Sequence, residues 1–179
     1  MGHKLGPMIR TVQVSMGAVA SPMDCWLTLR GLRTLHIRVE RQCDSAMELA
    51  RYLENHKHVK RVYYPGTAKD ASQFEIASRQ MSHGMFGGML SFEMDNEAMA
   101  MAVAGALRII QRATSLGGTE TLIEHRASME PEDRKVSPEG LLRVSVGLEH
   151  VEDLKQDLKI AIQIACSINE KRSNCETEE

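Results

Sequence analysis

The chain has 179 residues, of which 42% are hydrophobic and 26% charged, with a formal net charge of -2. That length suits one domain with a sizeable core, and the weak net charge gives no global attraction for nucleic acid or an anionic membrane surface. No apolar run approaches the roughly 20 residues that a membrane helix needs.

The first residues, MGHKLGPMIR, lack the apolar stretch of a secretory signal. Cys25, Cys43, Cys166 and Cys175 are separated by 18, 123 and 9 positions, which matches no CxxC metal or redox pattern. Cys25 and Cys43 sit among apolar residues and read as small core fillers. The expected compartment is therefore reducing, the cytoplasm.

Residues 1–20 show no clear period and read as an N-terminal arm. From Asp24 the pattern turns helical: Leu32, Leu35, Val39, Cys43, Ala46, Ala50 and Leu53 recur at steps of three and four, opposite Arg33, Glu40, Arg41, Asp44, Glu48 and Arg51. A strand is expected over 59–64, stopped by Pro65-Gly66. A helix follows over 71–81, a strand over 89–94 and an Ala- and Met-rich helix over 97–106. Residues 107–110 are β-like. Residues 142–146 read as a strand with Arg143 and Ser145 on one face and Leu142, Val144 and Val146 on the other. A last helix starts near Val151, with Leu154, Leu158, Ala161, Ile162 and Ala165 on its stripe and Glu152 and Asp153 at its positive end. A disordered tail is expected over 168–179. Strands alternating with helices point to an α+β two-layer sandwich over 21–167.

Two places invite chemistry. The first is SLGGTETLIEHRAS, Ser115 to Ser128, where Gly117-Gly118 frees the backbone so that Ser115 and Leu116 can present main-chain groups to a ligand. The same stretch reads equally as a tight loop leaving a strand. Glu120 and Glu124, four apart, could share a helix face as solvent-exposed or helix-start charges. A Ser115–His125–Asp triad lacks any residue to orient it. The second place is Arg143, a long cation inside a β-like run, which needs a carboxylate partner. That partner is either internal, with Glu149 or Glu120 the candidates, or the carboxylate of a small acid gripped bidentately. No histidine has metal-ligand spacing, and GxGxxG with its acidic partner, GxxxxGK[ST] and HExxH are absent.

Five collinear motifs carry a resemblance: GAVASPMDCWLTLRGLRTLHIRVERQ (17–42), VYYPG (62–66), ASRQM with GGMLSFEM (77–94), SLGGTETLIEH (115–125) and LLRVSVGLEHVEDLKQDL (141–158). In this order and spacing they resemble the C-terminal part of the cystathionine γ-synthase/γ-lyase family, the Cys/Met metabolism enzymes that depend on pyridoxal 5'-phosphate (PLP). The resemblance covers about residues 9–165. It implies the small C-terminal domain of a fold-type I PLP-dependent transferase, sulfur amino acid substrates, and tetramers built from catalytic dimers. It makes Arg143 the binder of the substrate α-carboxylate and sets Ser115 and Leu116 beside substrate and cofactor. Leu116, where the β-lyase branch typically carries Trp, implies the γ branch. SMEPEDRKVSPEGLLR (128–143) is shorter than the corresponding segment in many members, a branch character.

In the family the lysine that forms the Schiff base lies upstream of these motifs. Its counterpart is missing here: Lys4, in GHKLG, matches that local sequence only superficially, and Lys57, Lys60, Lys69, Lys135, Lys155, Lys159 and Lys171 fall outside the motif. PLP is thus the cofactor of the family but is not expected to bind covalently to this chain. The resemblance implies part of a transsulfuration enzyme that is inactive by itself. The other reading is a non-catalytic module that docks on a full-length relative.

Overall fold

Local caps write the helix starts. Ser21 accepts the Asp24 amide at 3.1 Å and donates to the Asp24 carboxylate at 2.8 Å, with Pro22 in the first turn, so helix α2 begins there. Asn96 does the same for α5 by accepting the Met99 amide at 2.9 Å. The computed structural model describes residues 2–67 and 71–176. Its helices are α1 (Gly2–Met16), α2 (Pro22–Leu32), α3 (Leu35–Glu54), α4 (Ala71–Gln80), α5 (Glu97–Ala106) and α6 (Val151–Glu176). Its strands are β1 (Arg61–Tyr63), β2 (Met89–Glu93), β3 (Gln111–Arg112), β4 (Leu122–His125) and β5 (Leu141–Ser145).

The chain divides into two compact units, residues 1–37 and 38–179. The first holds α1 and α2. The segment read as an irregular arm is a helix, and α2 buries none of its side chains. The helical period read as one run from Asp24 is in fact two helices, interrupted at Arg33-Thr34. Its apolar stripe is split in fate as well. Leu32 and Leu35 are exposed, whereas Cys43, Ala46, Ala50 and Leu53 are buried.

The second unit is built on a mixed five-stranded sheet in the order β1-β2-β5-β4-β3, antiparallel except for the β3–β4 pair. Period-2 alternation gives the sheet two unlike faces. Leu90 and Phe92 of β2, Leu142 and Val144 of β5, and Ile123 of β4 are fully or almost fully buried and join the core. Helix α5 packs on β4 and β5, and α6 packs on α5. All five residues of the α6 stripe, Leu154, Leu158, Ala161, Ile162 and Ala165, are buried. The other face carries a row that crosses four strands in register: Tyr63, Ser91, Arg143 and Glu124.

Three expected elements differ. Residues 107–110 do not form a strand. The Asp157 carboxylate of α6 accepts the amides of Arg108, Ile109 and Ile110 at 2.9–3.2 Å, so these N–H groups curl around an anion, and the strand starts at Gln111. Glu124 lies on strand β4, not on a helix with Glu120, because Thr121-Leu122-Ile123 supplies β-favouring side chains and pairs with β5. Helix α6 continues past Ser167 to Glu176, over much of the expected polar tail, and 177–179 lie outside the described residues.

Candidate functional site

Arg143 sits mid-strand on the polar sheet face, with about a quarter of its side chain exposed. Its guanidinium Nη1 donates to Glu124 Oε1 at 2.7 Å. Glu124 is the neighbouring residue across the β4–β5 pair, and its side chain is 5% exposed. The internal partner of Arg143 is therefore neither Glu149 nor Glu120. Glu149 is committed elsewhere: it accepts the Thr121 amide at 2.7 Å and the Thr121 hydroxyl at 2.5 Å. Glu120 is exposed.

Glu124 is a hub. Oε1 also accepts from Arg126 Nη1 at 3.3 Å, and Oε2 accepts the Thr114 hydroxyl at 2.5 Å. Burial pushes its carboxyl up, but the Thr114 hydroxyl and the Arg143 guanidinium together outweigh that and hold it below the usual carboxylate range. Arg126 in turn lies 3.7 Å from Glu130, which is drawn down to about 2 by the Ser137 hydroxyl and the amides of Ser137 and Val136.

Thr114 leads directly into the Gly-Gly loop, which is pinned at three points. Thr114 is held by Glu124, the Gly118 carbonyl accepts Gln42 Nε2 of α3 at 2.6 Å, and Thr121 is held by Glu149. Gly117 has φ +71°, a conformation that side chains with Cβ disfavour. Gly147 lets the turn after β5 lie against the loop, because a Cβ there would strike the Thr119 carbonyl and the Glu120 backbone. Between the pins Ser115 and Leu116 project, Leu116 being 70% exposed. No hydrogen bond joins either of them to Arg143. The link from loop to guanidinium runs through Thr114 and Glu124.

His125 is a structural residue. Its ring nitrogens meet the Ser128 hydroxyl at 2.6 Å and the Glu139 carbonyl at 2.5 Å, and it is 6% exposed. A separate groove of about 580 Å³ opens beside β1 and α4, lined among others by Lys60, Arg61, Tyr63, Ile76 and Met81. Neither Arg143 nor the Gly-Gly loop belongs to it. Sequence reasoning missed Glu124 as the partner of Arg143, and Gln42 as the loop clamp. The first could have been found by pairing the alternation of TLIEH with that of LLRVS. The second was signalled by an amide on the buried side of an amphipathic helix.

The chain belongs to the Cys/Met metabolism PLP-dependent enzyme family, whose model matches residues 2–163. It is 43% identical over 168 residues to a cystathionine beta-lyase of Coxiella burnetii, covering 88% of this chain and 42% of that protein. It is 38% identical over 167 residues to a cystathionine gamma-lyase of Bacillus subtilis, covering 89% and 43%. Both β- and γ-lyases thus occur among its relatives. Among solved structures, cystathionine gamma-lyase from yeast superposes with a TM-score of 0.79 at 36% identity, covering 87% of this chain and 42% of that one. A Campylobacter jejuni protein described as an O-acetylhomoserine (thiol)-lyase, carrying N'-pyridoxyl-lysine-5'-monophosphate, superposes with a TM-score of 0.76 at 31% identity and 87% and 36% coverage. The chain therefore spans about two fifths of the length of these relatives.

Covalent PLP attachment requires an amine that can lose its proton in a pocket. Among the described residues, the groups bonded to Arg143 and to its partner Glu124 include no such amine. The groups around Arg143 are a carboxylate, hydroxyls and a second guanidinium. Lys60 is paired with Glu93 at 2.7 Å, and Lys155 with Glu152 at 2.6 Å and Glu48 at 2.8 Å. These contacts push both ammonium groups up, toward permanent charge. The side chains of Lys4, Lys69 and Lys171 lie outside the described residues.

Proposed function

We propose that this chain is the C-terminal, small-domain part of a PLP-dependent transsulfuration enzyme of the cystathionine γ-synthase or γ-lyase type. Its role is to receive the α-carboxylate of a sulfur amino acid at Arg143, beside Ser115 and Leu116. The reactive lysine comes from outside the described residues, and the chain by itself does not turn over substrate. The observation that carries this reading is Arg143 on the polar sheet face with only Nη1 engaged among the described residues, in a chain that matches its family over residues 2–163. A planar guanidinium with a free edge suits a carboxylate better than any other side chain does.

The test is complementation. The chain is co-expressed with the unmatched portion of the Bacillus cystathionine gamma-lyase, and cystathionine cleavage is measured for wild type and Arg143→Met. The expected result is activity from the combined pieces that R143M abolishes or reduces at least about a hundredfold in kcat/KM, on the scale of a lost charged contact. The chain alone, treated with PLP and borohydride, yields no pyridoxyl-lysine by mass spectrometry. A single adduct with turnover by the chain alone, or full activity of R143M, would refute the reading.

A second reading, a non-catalytic module docking on a full-length relative, has its own support. Met23, Trp26, Leu27 and Leu29 of α2 are all at least half exposed, a cluster typical of a covered surface. Co-expression with the intact relative is the arm that tests it, and failure to co-purify counts against it.

A further inference from the structure

We propose that Glu124 is the positioning residue for Arg143: it holds one end of the guanidinium and thereby aims the other edge at an incoming carboxylate. This rests on the reading of Arg143 as the carboxylate receiver.

A guanidinium carries five N–H donors in one plane, and its Nε and Nη2 form a side-on fork that matches two carboxylate oxygens. In this protein Glu124 takes Nη1 alone. No hydrogen bond to Nε or Nη2 is made by the described residues. Glu124 cannot swing to take the second edge, because its other oxygen is held by Thr114 and its first is shared with Arg126. The two side chains also differ in depth: 5% exposure for Glu124 against 27% for Arg143. A deep anchor and a half-open guanidinium is the arrangement expected of an aimed cation. A closed internal pair would bury both ends and use both oxygens on one partner.

The relay has a further consequence for binding. Thr114 precedes Ser115, so a single carboxylate fixes both the root of the projecting loop and the direction of the guanidinium. Arg126 contributes a second positive charge at Glu124. Part of the Glu124 charge is thus balanced without Arg143, which leaves more of the Arg143 charge to an incoming anion.

The test compares Glu124→Gln, Glu124→Ala and Thr114→Val in the full chain by two readouts. The first is 15N relaxation of the Arg143 Nε–H, which reports whether the guanidinium is held. The second is titration with L-methionine, followed at the backbone amides of Ser115 to Gly118, which R143M shares with wild type. E124Q keeps an acceptor oxygen for Arg143 and an amide that can donate to Thr114, so it retains both order and affinity. E124A loses Nε–H order and binds methionine about tenfold or more weakly, the scale of one charge-assisted hydrogen bond. T114V lies between them.

An Arg143 Nε–H that is as ordered in E124A as in wild type overturns the proposal. So does an E124A variant that binds methionine more tightly, since Glu124 would then be a competitor that the ligand must displace. The failure of the parent reading looks different. If wild type and R143M respond alike to methionine, Arg143 is not the receiver, and the relaxation comparison still decides whether Glu124 holds it.

Discussion

The first 37 residues and the sheet unit use similar apolar side chains, and these end in opposite states. Trp26 is 59% exposed and Leu29 61%, while Phe92 and Leu158 are almost fully buried. Both regions have well-written local signals: Ser21 and Pro22 start α2 as cleanly as Asn96 starts α5. The difference lies one level up. In the sheet unit each apolar face meets another, β5 against α5 and α5 against α6. Helix α2 has caps and length but buries no side chain. Capping and propensity are enough to define a helix, but only a facing surface turns apolar side chains into stability.

This contrast can be broken by mutation. The largest effect is expected at Phe92→Ala, which empties a fully buried ring site at the centre of the core and should cost about 3–5 kcal/mol. Urea unfolding measures it, and a cost below about 1 kcal/mol would mean that the sheet unit is not the stable half. Next comes Asp157→Ala. It strips the acceptor from three backbone amides, Arg108 to Ile110, one of them buried, and should cost about 2 kcal/mol. Amide hydrogen exchange at 108–110 should accelerate selectively, which separates loss of this anchor from general loosening. The smallest effect is expected at Leu29→Ser in α2, within about 0.5 kcal/mol. A cost above about 1 kcal/mol there would show that this helix does bury its face in the protein in solution.

How much was legible follows the same division. The α6 stripe and the two-faced β5 were readable because alternation and helical period are strong in LLRVSV and VEDLKQDLKIAIQIA. The position of Arg143 on the polar face followed from parity alone. Its partner did not follow from either strand by itself, because the register joins residues 19 apart in sequence and only pairing the alternation of TLIEH with that of LLRVS sets Glu124 opposite. Residues 107–110 were misread for a related reason. Their β-branched character is genuine, but an α6 carboxylate nearly fifty residues away captures their amides first. The stripe through Leu32 and Leu35 was legible as a pattern and misleading as a burial map, since period reports which face is apolar and not what covers it.

The outer strands of the sheet have one more implication. β1 has three residues and β3 only two, so each end of the ladder exposes few unsatisfied main-chain groups. Stubs this short make poor templates for cross-β growth. Self-association of the purified chain should then proceed through greasy helix surfaces, giving amorphous, detergent-soluble clusters instead of fibrils.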